Sequence, residues 1–140
     1  MTRRDAARAT AMTALSYSRV LGANDKIGLG VIGTGGRGQY VMSRFQLQSD
    51  VEVRAVCDVY GVRRDEAQGK APGSKALQYH EELLALKEVD AVLIGSPDHW
   101  HKDHACDAMN AGKDVYVEKP LCRTLDEAPV MVRTARKTDR

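Results

Sequence analysis

From Lys26 onward the chain alternates short, nearly continuous apolar runs with segments in which apolar positions recur at helical spacing. The runs Ile27–Ile32, Val51–Cys57 and Asp90–Gly95 read as strands buried on both faces, with Leu77–Tyr79 and Val115–Val117 as shorter ones. Between them, Gly36–Leu47, Val62–Lys70, His80–Leu86, Asp98–Ala111 and Leu125–Lys137 read as helices. Ala71-Pro72-Gly73 marks a turn, and Gly112 stands where a helix places its terminal glycine. The helix His80–Leu86 would turn Leu83, Leu84 and Leu86 toward the core. Strands and helices in strict alternation predict an α/β fold, a Rossmann-like doubly wound parallel sheet of about five strands covered on both faces. Right-handed crossovers then give the strand order 3-2-1-4-5. The chain has no internal repeat and no low-complexity tract.

Residues 1–25 do not share this pattern. Adjacent Arg3 and Arg4 precede a mildly apolar Ala/Thr-rich stretch, and Gly22-Ala23 supplies small residues at its end. This reads as a degenerate twin-arginine signal for export to the periplasm, the alternative being an unstructured start to a cytoplasmic protein. Ala6 and Ala7 stand where large apolar residues usually follow the arginine pair. No run approaches the ~20 apolar residues that span a membrane. The division is therefore a signal-like segment, 1–25, and one domain, 26–140.

Composition narrows the function classes. With 140 residues, 43% hydrophobic and 29% charged, the chain has the make-up of one soluble globular domain. A formal charge of +2 gives no argument for nucleic acid or membrane partners, and one Trp and one Phe are too few for a platform that stacks single strands. Cys57, Cys106 and Cys122 are odd in number and widely spaced, as expected of reduced, packed thiols.

The candidate chemistry begins at Lys26–Gly38, KIGLGVIGTGGRG, where an apolar strand runs into a glycine turn and then a helix. Gly33, Gly35 and Gly38 have G-x-G-x-x-G spacing. The first allows the tight turn, the second lets backbone approach a pyrophosphate, and the third lets helix pack on strand. The next strand ends in Asp58, 20 residues beyond Gly38, where such folds hold the adenosine ribose. Gly33, Gly35, Gly36, Arg37, Gly38 and Asp58 are therefore the candidate dinucleotide contacts, with the phosphates at the helix N-terminus.

Two further stretches lie at strand ends. Ser96-Pro97-Asp98-His99-Trp100-His101 follows the fourth strand, at the switch point where open α/β sheets bind ligands. Ser96 is placed to cap the next helix, with Pro97 at its first position. Glu118-Lys119-Pro120 closes the fifth strand, where a rigidly held Lys119, its pKa depressed by burial beside a cofactor, would exchange a proton with a reacting hydroxyl or carbonyl. His99, His101, Asp103 and His104 also spell the H-x-H-x-D-H signature of metallo-β-lactamase-like hydrolases. On a helix, however, His99 and His101 point about 200° apart, and no histidine follows His104, so no metal site is assigned.

Together GVIGTGGRG, CDVY, GSPDHWH and VYVEKPL, over Lys26–Arg140, resemble the N-terminal domain of the Gfo/Idh/MocA family of nicotinamide-dependent oxidoreductases, in the form of its exported bacterial branch. The resemblance implies NAD(P) on the glycine loop and hydride exchange with a sugar, inositol or related polyol. It places Lys119 at the reacting hydroxyl, Glu118 beside the nicotinamide ribose, and Ser96, Pro97 and His101 along the nicotinamide side. Asp58 would accept from both ribose hydroxyls of NAD and repel a 2′-phosphate, so NAD is expected over NADP, although Arg63 and Arg64 could offer charge to a phosphate.

Family members carry a second, mostly β-sheet domain that builds the substrate pocket. The expectation for these 140 residues alone is cofactor binding with little turnover, since nothing in them positions a substrate. The strand bearing Lys119 would form a sheet edge prone to pairing, and self-association into a homo-oligomer is compatible with that. Two other readings share the motifs: an NAD-dependent glycosidase, which tends to differ at the Ser-Pro-Asp-His-Trp-His stretch, and a non-catalytic nucleotide-binding module.

Overall fold

The computed structural model describes residues 26–140, so the signal-like segment lies outside the described residues. Five strands, β1 (Ile27–Ile32), β2 (Val51–Cys57), β3 (Lys75–Leu77), β4 (Ala91–Ile94) and β5 (Asp114–Val117), form one sheet in the order β3-β2-β1-β4-β5. Every pairing is parallel. The helices are α1 (Gly36–Phe45), α2 (Gly61–Lys70), α3 (His80–Leu84), α4 (His101–Asn110) and α5 (Glu127–Thr138), with a 3₁₀ turn at Asp98–Trp100 before α4. The expected topology and strand order are both present.

Side chains leave a strand on alternate faces, and the core divides accordingly. On one face Leu29, Val31, Val53, Val56 and Leu93 pack with Val41 and Met42 of α1 and Ala67 of α2. On the other, Ile32, Ala55, Cys57, Val92 and Ile94 pack with Leu83 and Leu84 of α3, Ala105, Ala108 and Met109 of α4, and Met131 of α5. Both faces of the centre of the sheet are therefore dry, which is why β1 and β4 have no polar side chain.

Val53 and Val56 share a face although an odd number of positions separates them. The cause is a register shift: Leu29 pairs with Val53, but Gly30 pairs with Ala55, so Arg54 is the extra residue of a bulge. The bulge brings Ala55, Val56 and Cys57 into register with the end of β1 and so aims Asp58 at the glycine loop.

Three elements depart from expectation. β3 lies two residues earlier than Leu77–Tyr79, because Tyr79 is the N-cap of α3 and its amide donates to the Glu82 carboxylate at 3.3 Å. The fourth helix begins with a 3₁₀ turn capped by Pro97, and Ser96 makes no cap hydrogen bond. α3 stops at Leu84, although Leu86 still packs against the core. Gly112, at φ +76°, follows α4 as the glycine signal implied.

Candidate functional site

The carboxyl ends of the strands converge on a cavity of about 750 Å³. Its walls come from the loop after β1 (Gly33, Gly35, Gly36, Arg37), the loop after β2 (Asp58, Val59, Tyr60), the start of α3, and the segment after β4 (Ser96, Pro97, Trp100). Sheet topology explains the place: the chain runs outward from β1 through β2 to β3, then crosses back to β4 on the other side of β1, and the crevice opens between β1 and β4 where the direction reverses.

The glycines divide into two kinds. Gly33 has φ +83°, and Gly38 and Gly95 are pressed against neighbouring backbone, so a Cβ on Gly38 would overlap the Gly33 carbonyl and one on Gly95 would lie 2.8 Å from the Gly38 Cα. The protein's own packing requires glycine there. Gly35 and Gly36 differ. Gly35 has φ −63°, which any residue adopts, and a Cβ at either position would meet nothing within 4 Å. Among the described residues nothing demands glycine at these two positions, which face the cavity. A ligand that approaches the backbone closely does, and a pyrophosphate at the amino end of α1 is such a ligand. The residues present therefore fit a dinucleotide.

Asp58 braces this loop. One carboxylate oxygen accepts from the Thr34 amide at 2.8 Å and the Thr34 hydroxyl at 3.2 Å, and the other accepts from the Tyr60 amide at 2.9 Å. A carboxylate offers about four acceptor positions, so roughly one remains for a ribose hydroxyl rather than the two expected. Below the loop, the buried Gln39 amide donates to the Thr34 carbonyl at 2.8 Å and its oxygen accepts from Lys70 Nζ at 2.6 Å. Thr34 is fully buried. Thr34 and Gln39 were not legible as site residues. The only local signal is a polar residue on the helix face that also carries Val41 and Met42.

Arg37 and Glu118 meet across the loop, Nε to Oε2 at 2.9 Å and Nη2 to Oε1 at 3.2 Å. The Glu118 side chain is 7% exposed and that of Arg37 is 58% exposed. The guanidinium hydrogen bonds hold the Glu118 carboxyl below the usual carboxylate range. Lys119, the next residue, is exposed and has no ion-pair partner among the described residues, so it is not enclosed as expected. Its peptide to Pro120 is cis.

The segment after β4 is ordered by histidines. His101 is 2% exposed and is absent from the cavity wall. Nδ1 lies 2.6 Å from the Pro120 carbonyl and Nε2 lies 2.9 Å from the Ser96 carbonyl. Rather than lining the nicotinamide side itself, it ties the Ser96 segment to the one after Lys119. The Ser96 hydroxyl pairs with His104 Nδ1 at 3.0 Å. His104 stacks on Trp100, with centroids 5.4 Å apart and planes 10° from parallel, and lies 4.5 Å from the His80 ring. Burial, reinforced by His80, lowers its pKa to about 4, so it is a neutral hydrogen-bonding group at ordinary pH. Trp100, from the stretch singled out after the fourth strand, lines the cavity with His104, His80 and Tyr79, which no local pattern marks because only the fold brings α3 against α4. Cys57 also reaches the cavity, its thiol pushed up to about 12 by burial. His99, His101, Asp103 and His104 do not converge, and no cluster able to hold a metal occurs among the described residues.

Comparison with known proteins agrees with this geometry. A curated glycosyl hydrolase family 109 protein of Solibacter usitatus is 37% identical over 128 residues, 84% of this chain and 29% of that protein. A probable dehydrogenase of Thermotoga maritima superposes with a TM-score of 0.77 at 31% identity, over 81% of this chain and 34% of its own. KijD10, a 3-ketoreductase of Actinomadura kijaniata solved with TDP-benzene and NADP, gives 0.75 at 26% identity, over 81% and 36%. The chain thus spans about a third or less of the proteins it matches. The model of the oxidoreductase family with an NAD-binding Rossmann fold, Gfo/Idh/MocA, matches residues 27–140. On that match and on the glycine loop, strand order and cavity described above, the chain belongs to the Gfo/Idh/MocA family and comprises its NAD-binding Rossmann domain.

Proposed function

We propose that the cavity binds NAD in preference to NADP, and that in the complete protein Lys119 exchanges a proton with a sugar, inositol or related polyol as it is oxidised or reduced. The bound nicotinamide supplies reversible hydride acceptance. The observation that carries the reading is the pair Gly35 and Gly36, whose lack of side chains serves no contact among the described residues. The amides at the start of α1 would hold the pyrophosphate, and the remaining acceptor position of Asp58 would hold a ribose hydroxyl. Asp58 would also repel a 2′-phosphate. Arg63 stands on the same wall but has Glu66 at 3.9 Å. Lys119, exposed beside the pinned Glu118, is free to meet a hydroxyl or carbonyl delivered from outside these residues.

Titration calorimetry of the 140-residue chain with NAD and NADP tests the cofactor. The expected result is NAD binding tighter than NADP, with NAD binding weakened and its margin over NADP narrowed in Asp58→Ala. A folded chain that binds neither, or binds NADP more tightly, overturns the proposal.

A second reading is favoured by the glycosyl hydrolase relatives. The same site would then serve transient oxidation of a sugar carbon, releasing a sugar with no net NADH. The complete protein separates the two. Accumulating NADH marks a dehydrogenase, and glycoside cleavage without it marks the glycosidase.

A further inference from the structure

We propose that Arg37 is a positioning residue for Lys119, which it keeps free of an ion pair by holding the neighbouring Glu118 carboxylate. The inference rests on the reading of Lys119 as the proton-exchanging group. Glu118 and Lys119 are consecutive, and the two charges are coupled through space. An acid adjacent in sequence to an exposed lysine ordinarily competes for it, and a paired ammonium is a poorer proton donor or acceptor toward a substrate.

The geometry removes that competition. Both Glu118 oxygens are taken by Arg37, a bidentate arrangement that fixes direction as well as charge. The Glu118 amide donates to the Ile94 carbonyl at 3.0 Å, so the backbone that carries Lys119 is pinned to β4. The carboxylate is turned inward and buried, whereas the ammonium one residue later is exposed. Arg37 itself sits in the glycine loop, between Gly36 and Gly38, and lines the cavity. One side chain thus joins the phosphate-binding backbone to the residue before the lysine, and places the two in fixed register.

The test reads the reactivity of the Lys119 amine in the unliganded 140-residue chain. Trace acetylation with acetic anhydride at pH 8 is quantified by mass spectrometry, with the exposed Lys87 as internal reference. Arg37→Gln frees the carboxylate to pair with Lys119, and labelling of Lys119 should slow about three- to tenfold, the equivalent of half to one pKa unit. Arg37→Lys keeps a cation on Glu118 and should label close to the wild-type rate. Glu118→Gln and the double variant Arg37→Gln/Glu118→Gln leave no carboxylate to pair, and both should label at least as fast as wild type.

Restoration in the double variant is the outcome that separates this role from a structural one, since a fold damaged by loss of Arg37 would not recover when Glu118 is changed as well. Unchanged labelling in a folded Arg37→Gln chain overturns the proposal. So does slowed labelling that persists in the double variant. If Arg37→Gln does not fold, Glu118→Gln and the double variant decide, and slow labelling in either is refuting. No cofactor or turnover is involved, so absent NAD binding would refute the functional reading and leave this result standing.

Discussion

Gly36→Ala should make the protein more stable and a worse dinucleotide binder. Gly36 is the first residue of α1, with an ordinary backbone conformation and no atom within 4 Å of where its Cβ would lie. Adding a methyl there restricts the unfolded chain without strain in the folded one, a gain of about 0.4–1 kcal/mol. For a domain of this size that is a rise of about 2–6 °C in Tm. The same methyl projects into the cavity, where it would hold a pyrophosphate away from the α1 amides. Loss of one charge-assisted hydrogen bond costs about 1.5–3 kcal/mol, or about 10- to 100-fold in Kd. Scanning calorimetry and titration with NAD read the two effects on one sample. A higher Tm with unchanged affinity would refute the argument that a ligand dictates this glycine. A lower Tm would refute the claim that the protein leaves the position open. Asp58→Ala is a less selective probe, because it also removes the acceptor for Thr34 and Tyr60.

Other expectations follow from the same geometry. Gly38→Ala should act in the opposite sense, since its Cβ would overlap the Gly33 carbonyl; overpacking against backbone costs about 1–3 kcal/mol, and a Tm equal to wild type would contradict it. His104 gives a pH signature. Its folded pKa of about 4 lies below the ordinary 6.5, so only the unfolded chain takes up a proton between those values, and stability falls as pH drops from 6.5 toward 4. Urea midpoints should show that slope in the wild type and a shallower one in His104→Asn; equal slopes would sink the assignment. Cys57 should resist iodoacetamide at pH 8 in the folded chain at least about a hundredfold more than in urea, and rapid labelling of the native thiol would show that it is neither buried nor raised.

How far the sequence could be read depended on whether the determinants were local. β1 and β2 have the bounds that their apolar positions imply: β1 has no polar side chain, and the buried half of β2, Ala55–Cys57, is likewise apolar. The Arg54 bulge left no trace in the pattern, since Ala55, Val56 and Cys57 are apolar whichever face they take. β3 slipped by two residues because Leu77 belongs to the strand while Tyr79 caps the next helix, a decision made by Glu82 across one turn. Ser96 and Pro97 looked like a helix start, and a helix does start there. The Ser96 hydroxyl instead serves His104, a full helical step further on, and the first turn tightens to 3₁₀. The motif residues were legible because ligand and backbone geometry fix their spacing. Their supports were not: Gln39 to Thr34, Arg37 to Glu118 and His80 to His104 are contacts that only the fold brings about.

Those supports share a direction. Asp58 fastens Thr34, Gln39 fastens Thr34 from below, Arg37 fastens Glu118, and His101 fastens the Ser96 segment to Pro120. Each ties a cavity-facing segment to a helix or to another loop rather than to the sheet. Loops at strand ends would otherwise move independently, and a ligand that touched several would have to order them on binding at a cost in affinity. Cross-linking them by buried or half-buried polar contacts places that ordering in folding. Asp58 and Arg37 show the consequence most plainly. Each presents a charge beside the glycine loop, yet each is already engaged within the protein, so the loop's own amides are left as the principal donors for phosphate. Arg37 then acts chiefly as a fastener, and Asp58 is a fastener that would also disfavour a 2′-phosphate. Affinity should accordingly depend more on the empty space at Gly35 and Gly36 than on the guanidinium of Arg37.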